Sequence, residues 1–599
     1  MDKNQIIGFS LIVLIVIGFS IWNQPSEEEL ARQQAIKDSI AALTPEPVDE
    51  IAEKKTTLSA AKEITLVNDS GETVTVQEES FEIKNDLLTL RVSNKGGKIS
   101  YLQLNEYQRA DSTGLVLVNL EEGVNDFGFS YGEGYNTTNL VFNKIESSTT
   151  SLKLSAKTED GASVEHLYAL SGEEDYVVNF ESNWNGTSAK KLIWTQQVLQ
   201  QEMSAENERL QTSIYFKETG DEPDYVSERK TEDDEEIGSE SRVDWLSFKQ
   251  HFFNQAIIPS NGFENGYLKQ DWQEGDEYIK ELHASMDLVE SNTHKFKMIF
   301  VPNHYSTLRQ YDIELERVVN LGWGIFGWIN RFAVIPIFNL LSKMTSNYGI
   351  IILILTILFK SVLLFFTYKS FLSGAKMRVL KPELDAIKKK NDGDMQAQQQ
   401  EQMKLYQATG VSPFGGCLPM LVQMPILLAL FNFFPHSFEL RQQPFLWAHD
   451  LSTYDSIYEF GFSIPGYGDH ISLFALLMTI TTFIYTLINQ SYQPQQQKEL
   501  KYLPYFMPII FLTFLNSYSA ALSYYYFLAN LFSIGQTYLF KAFVNEDKLR
   551  AQIEEKKKQK ASSGGGAAST GMQGRMQEWM EKQQRKQQAI QQQKNKKKR

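Results

Sequence analysis

Cysteine is almost missing from this chain. The single thiol, Cys417, excludes any disulfide within it, so a part facing an oxidising compartment must be stable through its own core. Histidine is sparse, eight residues among 599, and no His/Cys cluster has the spacing of metal ligands. No G-x-x-x-x-G-K-S/T phosphate loop occurs, so work fuelled by this chain's own nucleotide hydrolysis is not expected. No metal, no other cofactor and no enzymatic activity are expected. Positive charge is unevenly placed within a net charge of -15. The part before Leu321 is acidic, whereas Lys541 to Arg599 holds 16 Lys and Arg against six Asp and Glu.

What is present is apolar in long blocks. With 42% hydrophobic residues but a mean hydropathy of -0.31, the chain is too polar to be all membrane and too long for one ordinary domain. The run from Tyr348 to Phe366 is nearly continuous and, at about 1.5 Å per residue, long enough to cross a bilayer. It carries one charge, Lys360. A lysine at the centre of a spanning helix costs about 2.5 to 3.5 kcal/mol. Two readings follow: the ammonium snorkels to headgroups beside Lys369 and Lys376, or it is kept inside for use.

Ile6 to Trp22 is an apolar segment preceded by Lys3, and Trp22-Asn23-Gln24-Pro25 offers no small-x-small cleavage site, so it reads as an uncleaved anchor. Residues 23–80 are charged and alanine-rich, suiting a tether with some helical content. From Phe81 to Asp312 short alternating runs such as SLKLSAK and DYVVNFESNW, bounded by Gly, Asn and Asp, predict an antiparallel β-sandwich or barrel, of which the sandwich is the expected form. The acidic run Glu218 to Glu240 reads as a solvated loop. His251, His283, His294 and His304 are scattered, which favours structural roles.

Leu321 to Leu341 resembles a span, but Asn330 and Arg331 sit in its middle and Pro336 is expected to break it; with Trp323 and Trp328 it suits the headgroup plane. Further spans are expected at Gly415 to Phe434, Ile471 to Ile488, Leu503 to Leu515 and Ala521 to Phe540, making six with both termini inside. The loops agree with a positive-inside bias: Lys369 to Lys404 are inside, and the outer loop His436 to His470 has Arg441 as its one Lys or Arg. Met377, Leu380, Leu384 and Ile387, then a turn at Asn391-Asp392-Gly393, predict a helical hairpin. It is either a solvated pair or a basic face for headgroups or a ribosome.

LGWG at 321, NYGIIILILTILFK, AKMRVLKPEL, LYQATGVSPFGGCLPMLVQMPILLALF, FELRQQPFLWAHDLSTYD and the MPIIFLTF to YYYFLANL pair resemble the five-helix core of the YidC/Oxa membrane protein insertases over Leu321 to Val544. NKGGKISYLQLNEY and VDWLSFKQHFFNQAIIP are similar to the large periplasmic domain of its Gram-negative type. The resemblance implies a multi-domain protein of the cell inner membrane: an N-terminal transmembrane anchor (1–22), a periplasmic tether (23–80), a periplasmic β-sandwich (81–312), an interfacial amphipathic helix (313–346), a five-helix insertase core (347–545) with a cytosolic hairpin at about 370–410, and a basic cytosolic tail (546–599). It implies insertion, folding and assembly of membrane proteins, alone or with the Sec translocon, through a hydrophilic groove holding a basic side chain. That position is Lys360, where many relatives have arginine. Thr356 and Tyr526 fall where the family has polar groove residues, and Gln423 and Asn530 join them by polarity at membrane depth, or serve as glue between helices. The implied partners are nascent membrane proteins, the Sec translocon, the ribosome through hairpin and tail, and the phospholipid bilayer, with no DNA. Phe365 departs from a family proline, Ser412 from an asparagine, and Ser519-Ala520-Ala521 from a Pro-Ser-Gly type turn.

Two other classes compete. A transporter or channel using Lys360 lacks support from an internal repeat or a chain of membrane acids. A sugar enzyme housed in the β region has carboxylates in plenty but no pair that can be singled out.

Overall fold

The computed structural model describes residues 63–67, 73–121, 123–132, 134–158, 161–238, 242–272, 278–392, 394–411, 418–490 and 503–562. The expected N-terminal anchor, most of the tether, Cys417 and the tail beyond 562 lie outside these residues. The chain divides into two compact units: Met1–Leu355 with Pro425–Thr479 and Ile509–Phe527, and Thr356–Met424 with Ile480–Pro508 and Leu528–Arg599.

The first unit is dominated by antiparallel β structure. A four-stranded sheet (Ser80–Lys84, Leu88–Ser93, Ile99–Gln108, Gly114–Asn119) and a 15-stranded sheet bury their inner faces in one hydrophobic core. Period-two burial is the reason these segments are strands: in Ser151–Lys157 every second residue is buried, and Leu152 faces Tyr168 across the register. Aromatic side chains fill the interior, with Phe129 stacked on Phe180 at 6.0 Å and Trp194 on Phe248 at 3.7 Å.

Two expectations change here. The acidic run is not all loop: Glu232–Ile237 is a strand pairing with Phe263–Trp272. Four of its five carboxylates stay in water, and Lys269 pairs with Glu232 at 2.9 Å, so charges guard the strand against further pairing. Within the tether, Glu63–Val67 and Thr73–Gln77 form a β-hairpin rather than helix, because ITLV and TVTV are rich in β-branched residues.

The outer loop between the expected third and fourth spans packs onto this β domain. Arg441 Nε donates to Glu202 Oε1 at 2.7 Å and its Nη2 to the Gln108 carbonyl at 2.6 Å, both side chains of the ion pair being buried. Phe438 sits edge-on to Tyr107 and Phe253 at 5.5 and 5.7 Å. Asn207 Nδ2 donates to the Ser517 carbonyl at 2.9 Å, and His251 Nε2 lies 2.8 Å from the Pro435 carbonyl. Burial keeps His251 neutral well below the usual imidazole pKa, so its N–H is the donor there.

Helix α1, Ile325–Ser342, runs through Pro336 unbroken, contrary to expectation. A π turn over Asn330–Val334 leads into Pro336 at the start of the following α segment, where its missing N–H breaks no ladder. Asn330 is fully buried and donates to the carbonyls of Leu321 and Ala429 at 2.8 and 2.7 Å, while Trp328, Phe332 and Leu340 are exposed. By length and composition α1 and α2, Tyr348–Val379, are long and apolar enough to cross a membrane. Val422–His436, Leu473–Asn489 and Pro504–Leu515 are shorter apolar helices.

In the second unit the part of α2 from Thr356 onward leads into α3, Lys381–Lys390, and α4, Met395–Thr409. Asp394 caps α4 by accepting from Gln396 and Ala397 N–H groups at 3.0 and 2.9 Å. The apolar spacing resolves into a cluster of Leu380, Leu384, Tyr406 and Val411. One member comes from the segment expected to be plain tail: Ile553, on a C-terminal helix at Glu546–Ser562. Leu549 and Ile553, one turn apart, are both buried, and Lys557 pairs with Glu383 at 2.6 Å. The tail is therefore ordered on the hairpin for its first 17 residues.

Candidate functional site

Helix α2 forms because sixteen of its first nineteen residues are apolar and none is proline, and it carries Thr356 and Lys360 one turn apart on one face. Three further helices matter: α5, Leu418–His436, carrying Gln423; α6, Leu473–Gln490; and α8, Ala520–Phe543, which follows α7, Leu503–Leu515. Lys360 is 6% exposed, so its ammonium does not reach outward. Its Nζ donates to Ser533 Oγ of α8 at 2.8 Å and, more weakly, to Gln423 Oε1 of α5 at 3.4 Å. The Ser533 hydroxyl in turn donates to the Ala529 carbonyl at 2.8 Å, leaving its lone pairs for the ammonium. Among the described residues no carboxylate pairs with Lys360.

The other expected residues are distributed differently. Thr356 is fully buried on α2. Asn530 donates to Thr482 Oγ1 of α6 at 2.7 Å, tying two helices together, and makes no hydrogen bond to Lys360. Tyr526 belongs to the first unit, 5.7 Å from the Tyr525 ring. Ser533 was not singled out from sequence. The signal existed: Tyr526, Asn530, Ser533 and Thr537 recur at four, three and four residues, a polar stripe along an otherwise apolar helix. Serine alone at membrane depth is common because it bonds back to its own helix, and that masked it.

The arrangement is a buried cation partly satisfied by neutral oxygens. A family model for the YidC periplasmic domain matches residues 80–336, and one for the 60Kd inner membrane protein matches 340–547. The membrane protein insertase YidC of Parabacteroides distasonis is 38% identical, the alignment covering 92% of this chain and 94% of that one. The chain belongs to the YidC membrane protein insertase family. The YidC insertase of Bacteroides fragilis is 37% identical over 93% and 94% of the two chains. Among solved structures, an active YidC insertase with its first transmembrane domain resolved covers 77% of this chain and 92% of that chain at 17% identity, with a TM-score of 0.33. As a YidC insertase the chain is an inner membrane protein with a periplasmic domain, and its substrates are nascent membrane proteins.

Proposed function

We propose that this YidC chain inserts clients through a hydrophilic groove in which Lys360 receives the carboxylates of the segment being translocated, without nucleotide hydrolysis. The observation that carries this is the valence of the ammonium. It has three N–H groups, and Ser533 and Gln423 are its hydrogen-bond acceptors among the described residues. The third is left for a client. Thr356, Gln423, Tyr526 and Asn530 are proposed as the polar lining.

The energetics suffice for short tails. A client helix of about twenty apolar residues gains on the order of 6 to 12 kcal/mol on insertion, while each carboxylate costs about 2.5 to 3.5. An ammonium about 4 Å from that carboxylate returns roughly 4 kcal/mol at an effective dielectric of 20. The membrane potential adds about 2.3 kcal/mol per 100 mV for each acid moved outward. Long charged domains exceed this supply, which is why the Sec translocon is proposed as partner for such clients. Six spans, both termini in the cytosol, α1 in the outer headgroup plane, and a ribosome contact through the α3–α4 hairpin and basic tail complete the reading.

Site-specific photo-crosslinking tests it. Probes at 356, 360, 423, 526 and 530 are expected to capture a ribosome-stalled nascent membrane protein, whereas probes at the exposed Val362 and Phe365 of α2 are expected to capture lipid. Capture of client by the exposed positions alone contradicts the groove.

A further inference from the structure

The first unit contains a cavity of about 340 Å³ between α1 and the helical turns that follow the last long strand. Arg309, Gln310 and Tyr305 line it from the turns, and Arg331, Pro336 and Asn339 from α1. Its charge is one-sided. Two guanidiniums face it, and among the described residues no carboxylate lines it. Glu222, the acid coupled electrostatically to Arg331, is engaged by Arg317 at 2.7 Å. The Nε of Arg331 is buried and has no hydrogen-bond partner among the described residues, a state in which a guanidinium N–H is rarely left. Asn339 Nδ2 approaches Ser306 Oγ at 3.4 Å, so the two walls are tied together. The same helix that carries Arg331, Pro336 and Asn339 also exposes Trp328, Phe332 and Leu340.

We propose that this cavity is a binding site for the headgroup of an anionic phospholipid, of the phosphatidylglycerol type. The guanidiniums of Arg309 and Arg331 take the phosphodiester oxygens, a planar donor fork against two acceptors. Gln310, Asn339 and Tyr305 take the headgroup hydroxyls. The acyl chains then run along Trp328, Phe332 and Leu340, and this is why a lipid is favoured over a free phosphate ion. The inference rests on the proposed position of α1 in the outer headgroup plane, where paired arginines beside aromatic side chains meet phosphates. It accounts for the orphaned Nε and for an arginine retained in an apolar helix.

Native mass spectrometry of the full chain in detergent, titrated with phosphatidylglycerol, phosphatidylcholine or inorganic phosphate, tests it. The wild type is expected to retain one phosphatidylglycerol in preference to phosphatidylcholine. Arg309→Gln with Arg331→Gln is expected to weaken that retention roughly tenfold, the order for losing charge-assisted hydrogen bonds. Should the double variant melt at lower temperature, Arg309→Gln alone decides, because Arg309 is exposed and has no ion pair among the described residues; a roughly threefold weakening is expected. Equal retention of the two lipids, or unchanged retention in the variants, overturns the proposal. So does displacement by millimolar phosphate without lipid preference, which makes free phosphate the ligand. A nitroxide on Phe332→Cys in a Cys417→Ser background reports the depth of α1 independently, so a misplaced helix is distinguished from an absent lipid site.

Discussion

A buried ammonium needs acceptors, and Lys360 has Ser533 at 2.8 Å and Gln423 at 3.4 Å. Ser533→Ala removes the shorter contact and leaves the cation less well held. Insertion of a client with an acidic tail is expected to fall a few-fold, about 1 kcal/mol for a single hydrogen bond, while an uncharged tail is little affected. A proteoliposome assay with the two clients checks this; equal loss for both tails contradicts it. Lys360 and Gln423 were legible as polar groups in apolar runs, but their meeting with Ser533 was not, since sequence spacing says nothing of which helices face each other. A second residue-scale prediction concerns His166, buried in the β domain, stacked on Phe142 at 4.5 Å with Nδ1 3.4 Å from the Gly97 carbonyl. Desolvation pushes its pKa down to about 4. The unfolded chain, titrating near 6.5, then binds a proton that the folded one refuses, so stability is lost as pH falls from about 6.5 to 4. His166→Phe is expected to flatten that part of the thermal-melt profile by up to about 3 kcal/mol. An unchanged slope contradicts it.

Several elements owe their form to partners that no local pattern reveals. The outer loop read from sequence as a topological connection is a dock for the β domain, and Arg441, noticed only as that loop's one Lys or Arg, is its buried anchor on Glu202. Arg441→Ala leaves the Glu202 carboxylate buried and unpaired, a loss on the order of 3 to 5 kcal/mol, and is expected to expose the Gln108–Arg109 segment to protease. Adding Glu202→Gln is expected to restore protection; failure of that rescue contradicts the assignment. Glu232–Ile237 looked too acidic for a strand, but pairing with one neighbour leaves most of its acidic side chains in water. Helix α1 survives Pro336 because a π turn precedes it. The helix at Glu546–Ser562 hid behind its lysines, with Leu549 and Ile553 its strongly buried side chains among the described residues. A truncation after Ser562 is expected to keep the α3–α4 hairpin folded while weakening ribosome co-sedimentation, whereas a truncation after Asn545 also loosens the hairpin. Equal effects of the two cuts contradict this.

At the scale of the molecule, the broad layout was readable because its signals are long-range averages. Period-two alternation marks the β domain, and continuous apolar runs mark the helices that follow. Family membership, shown by two domain models and by relatives covering over nine-tenths of the chain, explains why the two kinds of signal share one polypeptide. What averages cannot carry is the meeting of single side chains, and the proposed mechanism depends on one such meeting. The most direct measurement is insertion by reconstituted protein of clients bearing zero, one or two acids in the translocated tail, compared among wild type, Lys360→Arg and Lys360→Glu. The account predicts near wild-type insertion for Lys360→Arg and, for Lys360→Glu, a deficit that grows with each acid, by roughly tenfold or more per carboxylate from reversed charge at an effective dielectric of 20. Identical insertion by Lys360→Arg and Lys360→Glu, whatever the number of acids, would contradict it.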